Sequence, residues 1–301
     1  MIKNIGIWIS TMRLRTLPLS LSGIILASFL AAHQGVFHLG IFILSMFTTL
    51  SLQILSNLAN DYGDGVKGTD NKDRIGPERA IQSGKITPQS MLLGIKINAA
   101  LCAILSIALI FTAFGFKQFI YILIFLCLGI AAVVAAIKYT VGKNAYGYRA
   151  LGDVFVFIFF GLVSVIGCYF LYAKTIDFIV VLPACVIGLL SVGVLNLNNM
   201  RDIVSDKKSN KITLAVKLGS KKIKKYHYFL ILTAVLLTVV FGFLYYRSPL
   251  NFIFLLAFVP LLIHLITVNK NKEPRNLNPE LKKLALTTFA LAILLGLGFM
   301  L

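Results

Sequence analysis

Nine stretches of this chain run for about twenty residues or more with little charge, and that repetition leaves few folds open. A helix needs roughly 20 apolar residues to cross the hydrocarbon of a bilayer. Such lengths lie at about 17–36, 38–58, 90–115, 118–138, 151–173, 176–197, 227–246, 250–268 and 284–301. The runs are continuous, whereas membrane strands would alternate apolar and polar residues, so the spans are read as helices and not as a barrel. With 58% of the 301 residues hydrophobic and 13% charged, nothing is left over for a soluble unit. The expectation is an all-α integral membrane protein: residues 1–301 form a single domain, and nine transmembrane helices form one bundle of two parallel four-helix halves plus a final helix. A short repeat favours the two halves. Asn57-Leu58-x-Asn60 and Asn196-Leu197-x-Asn199 each end an even-numbered span, although the nearby aspartates do not align at the same offset.

The basic residues orient the bundle. With those spans, 26 of the 29 Lys and Arg fall on one side, leaving Lys117, Lys174 and Arg247 on the other. Positive charge stays in the cytoplasm, so the N-terminus is expected inside and, after nine crossings, the C-terminus outside, in a cytoplasmic (inner) membrane. The net charge of +18 is explained by this rim beside anionic lipid, and no nucleic acid is called for. Cys102, Cys127, Cys168 and Cys185 lie within spans and carry no ligand spacing, so packing is expected of them, with no disulfide. His33, His38, His227 and His264 are likewise read as structural.

Two acidic clusters break the pattern. Asn57-Leu-Ala-Asn-Asp-Tyr-Gly-Asp64 follows the second span, and Asn196-Leu-Asn-Asn-Met-Arg-Asp-Ile-Val-Ser-Asp206 follows the sixth. Carboxylates beside hydrocarbon are costly, and where they occur they mark function. If the second helix continues to Asp64, then Asn57, Asp61 and Asp64 share one face, with Asn60 beside them. Asp202 and Asp206 are four apart, with Asn198 and Asn199 one turn earlier, and Arg201, Lys207, Lys208 and Lys211 stand among them. Oxygen ligands mixed with cations suit Mg2+ that arrives with phosphate, because Mg2+ takes few carboxylates and completes its shell with phosphate oxygens and water. Facing each other across a cavity, the clusters would hold a diphosphate. Asp73 and Glu78, in the turn-rich stretch that follows, fit an ordinary solvated loop.

These residues resemble the UbiA superfamily of intramembrane prenyltransferases along nearly the whole chain. Asn60-Asp-x-x-Asp64 and Asp202-x-x-x-Asp206 carry the general likeness. Gly68-Thr-Asp70, Arg74-x-Gly-Pro-x-Arg79, Gln82-Ser-Gly-Lys-Ile-Thr-Pro88, Tyr146-Gly-Tyr-Arg-Ala-Leu-Gly-Asp153 and Lys211-Ile-Thr-Leu-Ala-Val-Lys-Leu-Gly219 look like the branch that prenylates 1,4-dihydroxy-2-naphthoate. Where the superfamily often has a third aspartate this chain has Gly68, with Asp70 next, and Asn210 replaces a usual glycine.

The resemblance implies transfer of a polyprenyl chain from polyprenyl diphosphate to the naphthoate, with loss of diphosphate and carbon dioxide, in menaquinone biosynthesis. It implies Mg2+, a cavity open to the cytoplasmic side, and a prenyl tail held in membrane lipid. Asn57, Asp61, Asp64, Asp202 and Asp206 form the expected metal and diphosphate set, the four aspartates being catalytic, with Asn60 and Asn199 in support. Arg74, Lys138, Arg201 and Lys211 are the expected diphosphate cations. Arg15 matches a family arginine near the donor, and each of these cations fits a plain basic rim as well. Tyr139, Tyr146, Tyr148, Arg149 and Asp153, with Gln82, suit an aromatic acid as acceptor, Arg149 pairing with its carboxylate; the tyrosines fit an interfacial belt equally. Another aromatic acceptor, such as 4-hydroxybenzoate, remains open within the family. Outside it stand a transporter with a cation site, disfavoured because the acids gather at one face, and a lipid phosphatidyltransferase, whose Asp-Gly-x-x-Ala-Arg opening is absent after Asp64-Gly65.

Overall fold

The computed structural model describes residues 2–70 and 75–301, with side chains from residue 5 onward. Among the described residues nine helices are long and apolar enough to cross a membrane: α1 (Ile5–His33), α2 (Leu39–Val66), α3 (Pro88–Phe114), α4 (Phe119–Lys138), α5 (Gly152–Ala173), α6 (Phe178–Arg201), α7 (Leu214–Leu244), α8 (Pro249–Lys270) and α9 (Pro274–Met300). No strand forms among them, and one isolated backbone bridge joins Arg149 to Ile212. The chain is a multi-pass, all-helical membrane protein.

Local chemistry sets the helix starts. Thr87 Oγ1 accepts from Ser90 N at 3.2 Å with Pro88 in the first turn, and Thr213 Oγ1 accepts from Val216 N at 3.4 Å. Both satisfy amides that a helix N-terminus leaves without a carbonyl partner. In α5 the segment Phe157–Gly167 is π-helical.

Consecutive helices pack beside one another, α2 on α3 and α6 on α7 most extensively, and α9 closes back onto α1. Leu26, Leu30, Leu55, Ile187, Leu190, Phe241 and Phe254 fill the interior. Phe116, Phe119, Leu232 and Leu256 point outward, as side chains do whose solvent is lipid and not water.

The apolar runs and the helices differ at one face of the bundle. Helix α2 continues to Val66 where its apolar run stops near 58, and α6 to Arg201 where its run stops near 197. Helix α7 begins at Leu214, well before the apolar run at 227, with a kink at Gly219 (φ 74°). Helix α9 begins at Pro274 instead of 284, and a helical segment, Ile2–Met12, precedes the first apolar run. Hydropathy reports only the part of a helix that needs lipid. Backbone hydrogen bonds carry these helices further, and the charged residues sit on the extensions.

Candidate active site

A cavity of about 1240 Å3 lies inside the bundle. Its polar end is built from the C-terminal turns of α2 and α6, the N-terminal turns of α9, residues 10–16 of α1 and the segment after α2. An apolar arm runs from there between α4, through Leu128, Gly129 and Ala132, and α5, through Phe155, Phe159, Phe160 and Val163.

On α2 the helical register brings Asn57, Asn60, Asp61 and Asp64 to the cavity wall as their spacing predicts. Asp61 is buried and paired with both Arg13 and Arg79. Arg13 reaches it from a break in α1, where its own backbone is left-handed (φ 51°), a conformation uncommon for a residue with a side chain. Arg79 also lies 3.8 Å from Asp70, which is buried at the cavity too. Asn57 donates from Nδ2 to Met12 O at 2.9 Å, tying α2 to the same break. Asn60 Oδ1 accepts from Thr140 Oγ1 at 3.3 Å. The connection carrying Thr140 presses so close that a Cβ on Gly63 would come within 2.7 Å of the Thr140 backbone, which is why glycine stands there.

Asp64 joins the two halves of the chain. Lys211 Nζ donates to its Oδ2 at 3.0 Å and Tyr148 OH to its Oδ1 at 2.7 Å, while Tyr148 OH also lies 2.6 Å from Thr69 Oγ1. Lys67 stands over the Tyr148 ring at 4.0 Å, within cation–π range. Burial by itself pulls Lys211 down, but Asp64 and Asp206 outweigh it, so its pKa lies above the ordinary lysine value. Burial, and then the charge of Asp64, push Tyr148 above the usual phenol value, as burial, then Asp64, Asp153 and Asp206, do for Tyr139. Both phenols stay protonated. Lys67 is lowered, chiefly by burial.

At α6 the arrangement is local. Arg201 is buried and grips its neighbour Asp202 with two bonds, Nε to Oδ1 at 2.9 Å and Nη2 to Oδ2 at 2.5 Å. The same guanidinium donates to Asn198 Oδ1 and to Asn278 Oδ1, each at 2.8 Å. The helix ends at Asp202, and the short helix Ile203–Lys208 brings Asp206 to the cavity, its amide donating to Asp202 O at 2.8 Å.

Of the other residues expected at the site, Arg15, Tyr139 and Lys211 line the cavity. Six do not. Asn199 is buried on another face of α6, whose turn gives the cavity to Asn198 instead. Lys138 is exposed at the end of α4, outside the lining. Tyr148 stands behind Asp64, and Gln82 accepts from Arg79 N at 3.4 Å. Asp153 is buried against Tyr226, and Arg149, its backbone bridged to Ile212, is exposed with its guanidinium on Asn144 at 2.5 Å. Arg74 lies outside the described residues. In exchange the cavity takes Arg13, Arg79, Asn278 and Lys282, and Tyr146 of the expected acceptor wall lines it beside Tyr139. Arg79 ends the Arg74-x-Gly-Pro-x-Arg79 motif and Arg13 lies two residues before Arg15, but no spacing rule pairs either with Asp61. Asn278 carries no sequence signal at all.

The sequence profile of the UbiA prenyltransferase family matches residues 21–294. The chain belongs to this family. Among UbiA-family relatives, the 1,4-dihydroxy-2-naphthoate octaprenyltransferase of Haemophilus influenzae is 40% identical over 300 residues, 99% of this chain and 97% of that one. The enzyme of the same name from Mycobacterium tuberculosis is 34% identical over 297 residues, 97% of each chain. The UbiA fold is shared with a UbiA homolog from Archaeoglobus fulgidus, whose structure is described as bound to DMAPP and Mg2+. It is 16% identical, with a TM-score of 0.65 over 95% of this chain and 98% of that one.

Proposed function

We propose that this protein transfers a polyprenyl group from a polyprenyl diphosphate to 1,4-dihydroxy-2-naphthoate, releasing diphosphate and carbon dioxide and yielding demethylmenaquinone for menaquinone biosynthesis. The observation that carries the reading is the meeting of two carboxylate groups, from the ends of α2 and α6, at the polar end of a cavity whose other arm is apolar and aromatic. Identity of 40% and 34% over nearly the whole length to relatives named for this acceptor supports the choice of naphthoate.

Among the described residues no three acidic, histidine or cysteine side chains gather closely enough to hold an ion unaided. The donors present, carboxylates and amides divided between two helix ends, suit magnesium, which leaves most of its shell to phosphate and water. Asn57, Asp61, Asp64, Asp202 and Asp206 would hold it, and it would supply positive charge to the diphosphate as the bond to the allylic carbon breaks. Arg13, Arg79, Lys211 and Arg201, which here neutralise those carboxylates, would bind the diphosphate oxygens. Tyr139, Tyr146 and Phe155 present ring faces and edges where positive charge grows on carbon. The apolar arm excludes water that would quench that carbon and takes the prenyl tail. Since Arg149 lies off the cavity, Lys282 and Arg15, exposed residues of its lining, are the cations for the acceptor carboxylate. The excess of Lys and Arg in the loops on this side supports a cavity opening and N-terminus on the cytoplasmic side of the inner membrane, with the C-terminus outside.

The test is to incubate purified protein with Mg2+, a polyprenyl diphosphate and a panel of aromatic acids including 4-hydroxybenzoate, and to weigh the products. A prenylated naphthoquinol lacking the carboxyl group is expected. Product from 4-hydroxybenzoate alone would overturn the acceptor, and no product from any acid would overturn the activity.

A further inference from the structure

Four buried polar side chains outside the cavity form one hydrogen-bonded chain across the second half of the bundle. Asn196 on α6, His227 on α7, His264 on α8 and Glu280 on α9 are all nearly inaccessible, at 1%, 0%, 0% and 3% exposure. Glu280 Oε2 lies 2.5 Å from His264 Nδ1, and His264 Nε2 lies 2.9 Å from His227 Nε2. Asn196 Nδ2 lies 3.3 Å from His227 Nδ1, and the other Glu280 oxygen takes Lys283 Nζ at 2.6 Å.

The carboxylate fixes the direction of every bond. It only accepts, so His264 Nδ1 donates, and a neutral His264 then offers Nε2 as acceptor. His227 Nε2 therefore donates, which leaves its Nδ1 to accept from Asn196. A single assignment satisfies all four groups with both rings neutral, and Lys283 balances the carboxylate. A proton added to either ring would set N–H against N–H and break the link.

Polar groups buried in a bundle are costly unless fully bonded, and apolar residues of similar volume would pack there at least as well. What this chain holds is read at its two ends. Asn278, two residues before Glu280 and so on the opposite side of the same helical turn, accepts from Arg201. Asn196 stands on α6 five residues before Arg201 itself. Both ends therefore bear on the guanidinium that grips Asp202.

We propose that Glu280, with the His264, His227 and Asn196 behind it, is a positioning group for the reaction. It pins the N-terminal part of α9 so that Asn278 holds Arg201, and through it Asp202, at the diphosphate end of the cavity. The inference rests on the reading of Asp202 as part of the metal and diphosphate set.

The experiment is a double-mutant cycle on Glu280→Ala and Asn278→Ala, reading kcat and the Mg2+ concentration that gives half the maximal rate. Groups that orient metal ligands from behind change metal affinity by about 10–100-fold. Each single variant is expected to raise the half-maximal Mg2+ concentration about tenfold, and the double variant no further, because both act through one contact. Glu280→Gln, whose amide oxygen still accepts from His264, should recover most of the loss. His264→Phe leaves Glu280 on Lys283 and makes the same comparison if Glu280→Ala does not fold. A lowered Tm with unchanged Mg2+ dependence, or additive effects in the double variant, would overturn the proposal. Asp202→Asn assayed alongside separates the failures: wild-type turnover there refutes the reading of the site, while lost turnover with additive effects refutes the positioning role alone.

Discussion

The two helix ends that build the polar wall share a sequence pattern and use it differently. Asn57 and Asn60 on α2 both face the cavity, whereas their repeat partners Asn196 and Asn199 on α6 do not, and Asn196 instead ends the buried histidine chain. The carboxylates differ as well. On α2 they are held by cations from distant parts of the chain, Asp61 by Arg13 and Arg79 and Asp64 by Lys211. On α6, Asp202 is held by the residue before it, which Asn198 and Asn278 hold in turn. One end is a meeting point for long side chains from distant segments, and the other is a locally built clamp. A diphosphate bound between them would draw cations away from the first end while finding the second already formed.

Removing a carboxylate from either end should do the most damage. Asp61→Asn and Asp202→Asn are each expected to lower turnover about a hundredfold or more, with protein still folded in the membrane, because leaving-group stabilisation is lost. Steady-state assays of the purified variants check this, and a strong effect at only one end would show that the two do not share the work.

The link between the halves comes next. Lys211→Met strands Asp64 in a buried site, and breaking a buried ion pair by removing one partner costs about 3–5 kcal/mol. Thermal denaturation in detergent should show the loss. Because the Lys211 pKa is raised on folding, the stability it adds is complete below the ordinary lysine pKa and is lost only as pH rises through the raised value. The wild-type Tm contribution of this pair should therefore be flat from about pH 6 to pH 9.

Tyr148→Phe removes the hydrogen bond to the charged Asp64, worth about 1.5–3 kcal/mol, together with the contact to Thr69, while leaving Lys211 on Asp64. Its effect on turnover should be smaller than that of either aspartate variant. Smallest of all is Arg149→Ala, an exposed side chain off the cavity, expected to stay within about 0.5 kcal/mol of wild type in stability and to keep the acceptor KM. A large rise in acceptor KM would return Arg149 to the acceptor wall and displace Lys282 and Arg15 from that role.

How much of this was legible in the sequence follows from the physics each residue obeys. Helix number, type and the α2 face were readable because hydropathy and the 3.6-residue repeat act locally, and Asn57, Asp61 and Asp64 lie together for that reason alone. The extended ends of α7 and α9 were not, since helices outside lipid leave no hydropathy signal; that of α2 could be inferred only from the spacing of its polar residues. Nor was the pairing of Asp61 with Arg13 and Arg79, which depends on a left-handed break in α1 and on a loop that folds back over the helix end. Treating His227 and His264 as structural was the natural sequence reading, because their separation by 37 residues hides a contact made across two helices.

The central claim is that both helix ends act on one diphosphate. Calorimetric titration of the purified protein with inorganic diphosphate in the presence of Mg2+ tests it most directly. One diphosphate per chain is predicted, with binding abolished by Asp61→Asn and equally by Asp202→Asn. Two diphosphates per chain, or wild-type affinity in either variant, would contradict it.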